Sequence, residues 1–237
     1  MSRRIAIADV HGCLKTLRKL IEERISLNGD DSLYFVGDFI DRGPDSKGVL
    51  DYISRLAGDD YRIYSVRGNH EEMLLESLMD PKFLPNWIYN GAETTIYSFG
   101  LDPGLFLTIE TVYQIPSEYI QQIEKLPYYI ELEDYLIVHA GFNFYMDDPF
   151  QDHHAMIWSR DMMYDPDKAN HRTVIHGHTP VPVEEIRQMI ADPSPGLINI
   201  DAGCVYTEYP GLGNLVAFNL DNRELVVQKN IDIEFGW

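Results

Sequence analysis

The sequence predicts an α/β sandwich in which two sheets are flanked by outer helices. Strand and helix patterns alternate at the start of the chain, and strand patterns dominate from Tyr128 onward. The composition is that of a globular enzyme, with 45% hydrophobic and 24% charged residues in a chain of 237. Because a chain of this length can bury a sizeable core unaided, we expect one domain over residues 1–237.

The N-terminal third of the sequence is typical of a parallel sheet. Short apolar runs predict three strands, and apolar residues spaced three or four apart predict a helix after each. The strands are Arg4–Ala8, Leu33–Val36 and Tyr61–Val66, and the helices are Leu14–Ile25, Ser46–Leu56 and Met73–Met79. Ser46 is the expected N-cap of the second helix, and Gly58 is its expected end. This βαβαβα order implies parallel strands with helices on their faces.

Proline, glycine and aromatic residues set the next segment apart. We expect residues 81–127 to form an insertion over the sheet edge, with short helices at Ala92–Phe99 and Ser117–Leu126. From Tyr128 onward, six apolar runs predict strands. They are Ile130–Leu132, Leu136–His139, Val174–His176, Leu197–Ile200, Leu215–Leu220 and Leu225–Lys229.

The charge balance excludes several classes of protein. The chain has 19 Lys and Arg against 38 Asp and Glu, for a net charge of −19. Such a chain lacks the basic face of a nucleic-acid-binding protein and the polybasic segment of a membrane anchor. It also lacks a signal-like leader and an apolar run of about twenty residues, and its two cysteines make no disulfide framework. We therefore expect a cytoplasmic protein without nucleic-acid or membrane partners.

Five polar clusters each follow a predicted strand. Sites in α/β proteins form beyond the carboxyl ends of strands, so the clusters can converge on one place. Their carboxylates, imidazoles and single amide suit divalent Mn, Fe, Zn or Co. The clusters are Asp9–His11, Gly37–Gly43, Gly68–Glu71, Val138–Gly141 and His176–Thr179.

In order and spacing, the five clusters resemble the calcineurin-like metallophosphoesterase superfamily. The combination of GDFIDRG with RGNHE is similar to its phosphoprotein phosphatase branch, including bacterial and phage serine/threonine phosphatases. The stretches WSR at 158–160, NIDAGCV at 199–205 and WIYNG at 87–91 also resemble bacterial members. The resemblance implies a four-layer α/β/β/α sandwich of two mixed sheets.

The resemblance also implies a dinuclear metal centre. Asp9 and His11 would bind the first metal, and Asp38 would bridge both. The second metal would be completed by Asn69, His139 and His178. Two divalent ions are expected, with Mn favoured and Fe, Zn and Co as alternatives. A hydroxide bridging them would attack phosphorus in line, without a covalent enzyme intermediate.

Four further residues receive roles from the same resemblance. Arg42 and Arg160 would clamp the phosphate, since guanidinium binds phosphate oxygens in bidentate fashion. His70 would protonate the leaving alkoxide, with Asp41 fixing its tautomer. Glu71 would either polarise His70 or cap the following helix, and we favour the cap.

The leading functional hypothesis is a metal-dependent serine/threonine protein phosphatase acting on a phosphoprotein or phosphopeptide. A symmetrical bis(5'-nucleosyl)-tetraphosphatase is the alternative with the same fold and most of the same ligands. Asp41 and Glu71 favour the protein phosphatase. A non-catalytic phosphate-binding protein is a third hypothesis, which the complete ligand set disfavours. The oligomeric state has no signal in the sequence.

Two aromatic regions are open to interpretation. Trp87, Tyr89 and Tyr97 could either roof the site or pack the insertion against the sheet. The Gly- and Pro-rich loop 206–214 is longer than is common in bacterial relatives, and we expect it to shape substrate access.

Overall fold

The computed structural model describes residues 2–59 and 61–233, so Met1, Asp60 and 234–237 of the expected domain lie outside the described residues. It contains two mixed sheets flanked by helices, which confirms the predicted fold class. The strands are β1 Arg4–Ile7, β2 Ser32–Phe35, β3 Arg62–Ser65, β4 Tyr129–Glu131, β5 Tyr135–Val138, β6 Thr173–His176, β7 Leu197–Asn199, β8 Asn214–Asn219 and β9 Leu225–Lys229. The α-helices are α1 Leu14–Arg18, α2 Ser46–Gly58, α3 Asn69–Met79, α4 Leu84–Tyr89, α5 Ala92–Ser98, α6 Ile109–Val112, α7 Ser117–Glu124, α8 His153–Trp158 and α9 Val183–Ala191.

Strand order brings two sets of carboxyl ends to defined edges. The first sheet has the order β3-β2-β1-β8-β9, and its strands β1, β2 and β3 run parallel, with Leu33 opposite both Ile5 and Ile63. The second sheet has the order β4-β5-β6-β7, in which β5, β6 and β7 are parallel. Loops leaving parallel neighbours start at the same edge of a sheet, so each sheet presents one group of loops.

The alternation of side chains along β5 shows where the core lies. Ile137 belongs to the large core shared by both sheets, together with Ile175 from β6. Leu136 and Val138 point the other way into a second apolar cluster around Phe142. Successive strand residues face opposite sides, so β5 is buried on both faces and reads as an unbroken apolar run. Burial of one such side chain stabilises the fold by about 1.5–3 kcal/mol.

Helices cover the sheets where the sequence leaves apolar faces. Helix α2 packs on β3 and α9 on β7, and a π-helical continuation of α1 over Lys19–Ile25 packs on β8 and β9. The prediction that Ser46 caps α2 is wrong. The cap is Asp45, whose carboxylate accepts a hydrogen bond from the Gly48 N–H at 2.8 Å.

Two helices were missed in the C-terminal half. Helix α8 has six residues and α9 has nine, too few for apolar periodicity to stand out. Only Ile186 of α9 is fully buried, which leaves the helix with a weak sequence pattern. Within the described ranges, no helix combines the length and apolarity that crossing a lipid bilayer requires.

The segment 81–127 contains a short 3₁₀ turn and the four helices α4–α7. These helices contact α2 and α3, the two helices that follow the second and third strands. The segment therefore reaches the chain immediately beyond the GDFIDRG and RGNHE motifs.

A carboxylate from the far end of the chain caps α1. Asp232 accepts hydrogen bonds from the Lys15 N–H at 2.9 Å, the Thr16 N–H at 2.8 Å and the Thr16 hydroxyl at 2.6 Å. The residue at the usual cap position, Cys13, makes no side-chain cap. The C-terminal segment thus supplies what the local sequence lacks.

We expect Asp232→Ala to lower the free energy of unfolding by about 1 kcal/mol, the usual effect of losing a helix cap. Thermal or urea unfolding measures this. The control is Asp30→Ala, which removes an exposed carboxylate without a side-chain hydrogen bond to any described residue. Equal stability of the two variants would contradict the capping role.

Candidate metal centre

Loops from both sheets bring nine of the ten predicted site residues into one cluster. Strands β1, β2 and β3 precede one group, and β5 and β6 precede the other. The clustered residues are Asp9, His11, Asp38, Asp41, Arg42, Asn69, His70, His139 and His178. The tenth, Arg160, is exposed and lines a neighbouring cavity of about 360 Å³ together with Gly177 and Thr179.

Asp38 lies between two groups of potential metal ligands. Its Oδ2 is 3.5 Å from His11 Nε2 and 3.5 Å from His139 Nε2. One group joins His11, Asp38 and His70, and the other joins Asp38, His139 and His178, with ligand atoms in each lying within 4.8 Å of one another. A carboxylate with two oxygens can serve both groups at once.

Hydrogen-bond accounting around Asn69 supports a cation site. Asn69 Oδ1 lies 3.0 Å from His139 Nε2 and 2.9 Å from His178 Nδ1, and the two ring nitrogens are 3.2 Å apart. His139 Nδ1 lies 2.9 Å from the Val36 carbonyl, which can only accept, so Nδ1 carries the ring proton. Three acceptor-capable atoms therefore share at most one hydrogen, on His178 Nδ1, and a metal ion bound there would satisfy all three.

The imidazoles are held in the form that binds metals. His11 Nδ1 faces the Ile40 carbonyl at 3.0 Å, so the ring proton is on Nδ1 and Nε2 is an acceptor, which here accepts a hydrogen bond from Arg42 at 2.8 Å. Burial lowers the pKa of His11 and of His139, and burial together with His139 lowers the pKa of His178 to about 3. Neutral rings keep their lone pairs available for a metal.

Asp9 supplies a second indication that positive charge belongs here. Its Oδ2 accepts the His178 N–H at 3.0 Å, whereas its buried Oδ1 has no partner among the described residues. Burial, then Asp201 and Asp38, raise the pKa of Asp9 well above its usual range. A divalent ion would relieve both the unpartnered oxygen and the repulsion between carboxylates.

These observations fit a dinuclear centre. Asp9, His11 and Asp38 could hold one metal ion. Asp38, Asn69, His139 and His178 could hold the other. Asp201, whose charge acts on Asp9, is a site residue that the sequence analysis did not predict. It follows the strand at 197–200, so the strand-end argument applied to the other clusters would have identified it.

The loops around the centre hold strained backbones. Left-handed φ angles between 45° and 73° occur at His11, Asp38, Asp41, Arg42 and His178. Such conformations cost about 1–3 kcal/mol each in residues other than glycine and concentrate at functional sites. Glycines allow the close approach of the loops, because a Cβ on Gly68 would stand 2.1 Å from Asp38 Oδ1.

Glu71 fastens two of these loops to each other. Its buried carboxylate accepts the N–H groups of Asp38 at 2.9 Å, Phe39 at 2.8 Å and Gly68 at 2.9 Å. The bond to Gly68 caps α3, as predicted, while the others hold the loop that carries Asp38. Burial and Asp38 raise the pKa of Glu71 to about 7, and these backbone donors oppose that shift.

His70 and Asp41 form a buried pair beside the centre. His70 Nδ1 lies 2.7 Å from Asp41 Oδ2, and His70 Nε2 has no partner among the described residues and lies 4.0 Å from Asp38 Oδ2. Burial opposes the charged form of His70, but Asp38 and Asp41 outweigh it and raise its pKa. Trp87 also reaches this pair, through an indole N–H that bonds Asp41 Oδ2 at 2.8 Å.

Arg42 and the loop 206–214 lie at the rim. Arg42 donates to His11 Nε2 at 2.8 Å, and its guanidinium is 5.7 Å from the centre of the Tyr206 ring. The predicted access loop therefore contacts one of the two expected phosphate-binding arginines. Of the aromatic residues predicted to roof the site or pack the insertion, Trp87 is fully buried, whereas Tyr89 and Tyr97 are 90% and 61% exposed and therefore do not pack in the interior.

Comparison with known proteins identifies a family. The sequence profile described as calcineurin-like phosphoesterase matches residues 2–211. Serine/threonine-protein phosphatase 1 from Salmonella typhimurium is 30% identical over 185 residues, which are 74% of this chain and 77% of that protein. The asymmetrical bis(5'-nucleosyl)-tetraphosphatase PrpE from Oceanobacillus iheyensis is 27% identical over 245 residues, covering 93% of this chain and 89% of that protein.

A solved structure supports the fold. A protein serine/threonine phosphatase from Saccharomyces cerevisiae matches with a TM-score of 0.60, covering 99% of this chain and 81% of that one. The sequence identity is 16%, so this similarity concerns the fold alone.

We expect Mn²⁺ to raise the melting temperature of metal-free protein, because an ion that binds only the folded state stabilises it, by about 2.7 kcal/mol at a hundredfold excess over Kd. Asp38→Asn should abolish most of that rise, since it weakens the ligand shared by both groups. Asp51→Asn, at an exposed acid paired with Lys47, is the control. A full Mn²⁺ response in Asp38→Asn would refute the shared site, and elemental analysis gives the stoichiometry.

Proposed function

Because the chain belongs to the calcineurin-like phosphoesterase family, we propose that it is a phosphomonoesterase that acts on phosphoserine and phosphothreonine in proteins. The observation that carries this proposal is the His70–Asp41 pair, whose 2.7 Å hydrogen bond presents an unpartnered His70 Nε2 beside Asp38. Serine and threonine leave as strongly basic alkoxides, so a positioned proton donor accelerates their departure most.

The proposed reaction uses each group once. Arg42 and Arg160 bind the phosphate oxygens and oppose the negative charge of the dianion. Water oxygen bonds to phosphorus as the phosphorus–oxygen ester bond breaks, and His70 Nε2 gives its proton to the departing alkoxide. One proton of the attacking water is released in turn and restores the protonated form of His70. The products are inorganic phosphate and the free hydroxyl of the protein.

The metal ligands support this chemistry. Two divalent ions, for which we propose Mn, supply Lewis-acid polarisation and a water that is nucleophilic at neutral pH. Asp9, His11, Asp38, Asn69, His139 and His178 are the proposed ligands. Their convergence in one cluster disfavours a merely phosphate-binding protein.

A second candidate function is hydrolysis of dinucleoside tetraphosphates. It is supported by the similarity to the tetraphosphatase PrpE along 93% of this chain. The leaving group in that reaction is a nucleotide phosphate, which departs as a weak base and has little need of an acid. The buried His70–Asp41 pair therefore favours the phosphate ester of an alcohol.

Replacing His70 tests the acid role. We expect His70→Asn to lower kcat for an alkyl phosphate or phosphoserine peptide by about 10²–10⁴-fold, the usual contribution of general acid catalysis. The loss on 4-nitrophenyl phosphate should be much smaller, because nitrophenolate leaves without a proton.

The matched control is His154→Asn, which changes an exposed histidine outside the cluster and should leave both rates unchanged. Equal losses of kcat on the two substrates in His70→Asn would contradict proton donation. Metal content, measured in parallel, separates that result from loss of the centre.

Substrate competition tests the substrate class. With Mn²⁺ present, we expect a higher kcat/KM for a phosphoserine peptide than for diadenosine tetraphosphate. With a net charge of −19, the protein should also prefer a peptide with basic flanking residues over the same peptide with acidic ones, and added salt should weaken this preference. A higher kcat/KM for diadenosine tetraphosphate would favour the second candidate.

A further inference from the structure

The carboxylate of Asp41 receives three hydrogen bonds from side chains in different parts of the chain. Its Oδ2 accepts from His70 Nδ1 at 2.7 Å and from Trp87 Nε1 at 2.8 Å. Its Oδ1 accepts from the Thr95 hydroxyl at 2.6 Å. All four side chains are completely shielded from solvent, so water cannot replace a missing donor.

The Thr95 hydroxyl also holds the backbone of Asp41. Thr95 Oγ1 accepts the Asp41 N–H at 2.9 Å and lies 3.0 Å from Ser46 Oγ. Since its own proton is on Asp41 Oδ1, Thr95 accepts the Ser46 proton, and its hydrogen-bonding capacity is filled. These contacts fix both the side chain of Asp41 and its left-handed backbone, with a φ of 69°.

Trp87 and Thr95 come from neighbouring helices of the segment 81–127. Helix α4 carries Trp87 and helix α5 carries Thr95, and Gly91 lies in the turn between them. A Cβ on Gly91 would lie 3.1 Å from the backbone nitrogen of Arg42, so the same turn also backs the proposed phosphate-binding residue. Helices α4 and α5 and the turn between them thus contact both Asp41 and the adjacent Arg42.

We propose that Trp87 and Thr95 are positioning residues that hold Asp41, and through it His70, in the orientation needed to protonate the leaving group. A carboxylate bonded only to His70 can rotate about its Cβ–Cγ bond and carry the imidazole with it. Donors on both oxygens prevent this rotation. The proposal rests on the proposed role of His70 as proton donor.

The side chains of α4 and α5 support a specific role over general packing. The aromatic neighbours Tyr89 and Tyr97 are largely exposed, whereas Trp87 is buried and its only polar side-chain atom donates to Asp41. A phenylalanine would fill most of the same apolar space, so packing alone does not require an indole N–H. The Thr95 hydroxyl likewise donates to Asp41 Oδ1 and accepts from the Asp41 N–H and from Ser46.

The test compares side chains of similar shape with and without the donor. Trp87→Phe removes the indole hydrogen bond to Asp41, Thr95→Val removes all the hydrogen bonds of the Thr95 hydroxyl, and Thr95→Ser keeps them. We expect Thr95→Val and Trp87→Phe to lower kcat for an alkyl phosphate by roughly 10- to 100-fold, the usual cost of losing a partner of a site residue. For 4-nitrophenyl phosphate kcat should stay nearly unchanged, as should KM for both substrates, and Thr95→Ser should restore most of the lost rate.

Thr94→Val is the matched control, because Thr94 lies on the same helix and its hydroxyl bonds the Gly91 carbonyl at 3.0 Å rather than Asp41. It should leave the ratio of alkyl to aryl turnover unchanged. Melting temperature and metal content show whether each variant is folded and loaded, and Thr95→Ser keeps the comparison interpretable if Thr95→Val is unstable.

Equal losses on both substrates, or no loss on the alkyl phosphate, would overturn the positioning role while leaving the proposed function intact. His70→Asn, assayed beside these variants, separates the two failures. If His70→Asn itself shows no dependence on the leaving group, the proposed acid role fails first and the positioning role fails with it.

Discussion

The structure depends on one electrostatic constraint, the burial of acidic groups close together without matching positive side chains. Asp9 and Asp38 are almost completely buried, Asp201 lies near Asp9, and burial keeps the imidazoles of His11 and His139 neutral. Carboxylates in such a place are costly unless a cation is near. Arg42 supplies one positive charge at His11, and a pair of divalent ions would supply the rest. The fold is therefore arranged around charge that the chain alone does not provide.

The same constraint accounts for the strain in the surrounding loops. To point several ligands inward, His11, Asp38 and His178 adopt left-handed backbones that most side chains avoid. Glu71 and Thr95 offset part of this cost by accepting hydrogen bonds from buried backbone N–H groups of the loops that carry Asp38 and Asp41. Rigid strands on either side keep the loops in place, because β1, β2 and β5 are buried on both faces. The stability of the sheets thus offsets the free-energy cost of the left-handed backbone conformations at the site.

The sequence predicted which residues form the site better than it predicted the contacts that hold those residues in place. Strand-end clusters could be recognised because apolar runs and polar motifs are local patterns, and parallel pairing then determines which ends meet. The cap from Asp232 on α1 could not be foreseen, since the partners are more than 200 residues apart in sequence. The contacts of Trp87 and Thr95 with Asp41 were not predicted either, because they join residues 46 and 54 positions apart and have no local pattern. Ser46 failed as a cap because Asp45 precedes it and reaches the Gly48 N–H instead.

The division between site and support bears on substrate choice. The proposed metal ligands come from strand ends and act on any phosphoryl group, so they cannot distinguish a phosphoprotein from a dinucleotide. Relatives named for each of these substrates match the chain at about the same identity, 30% and 27%. Selectivity between these two substrates must then depend on side chains that contact the leaving group. His70 is the nearest such group, and its partner Asp41 is held by helices of the segment 81–127 rather than by the sheets. Selectivity among phosphate esters should therefore vary with that segment while the metal centre remains the same.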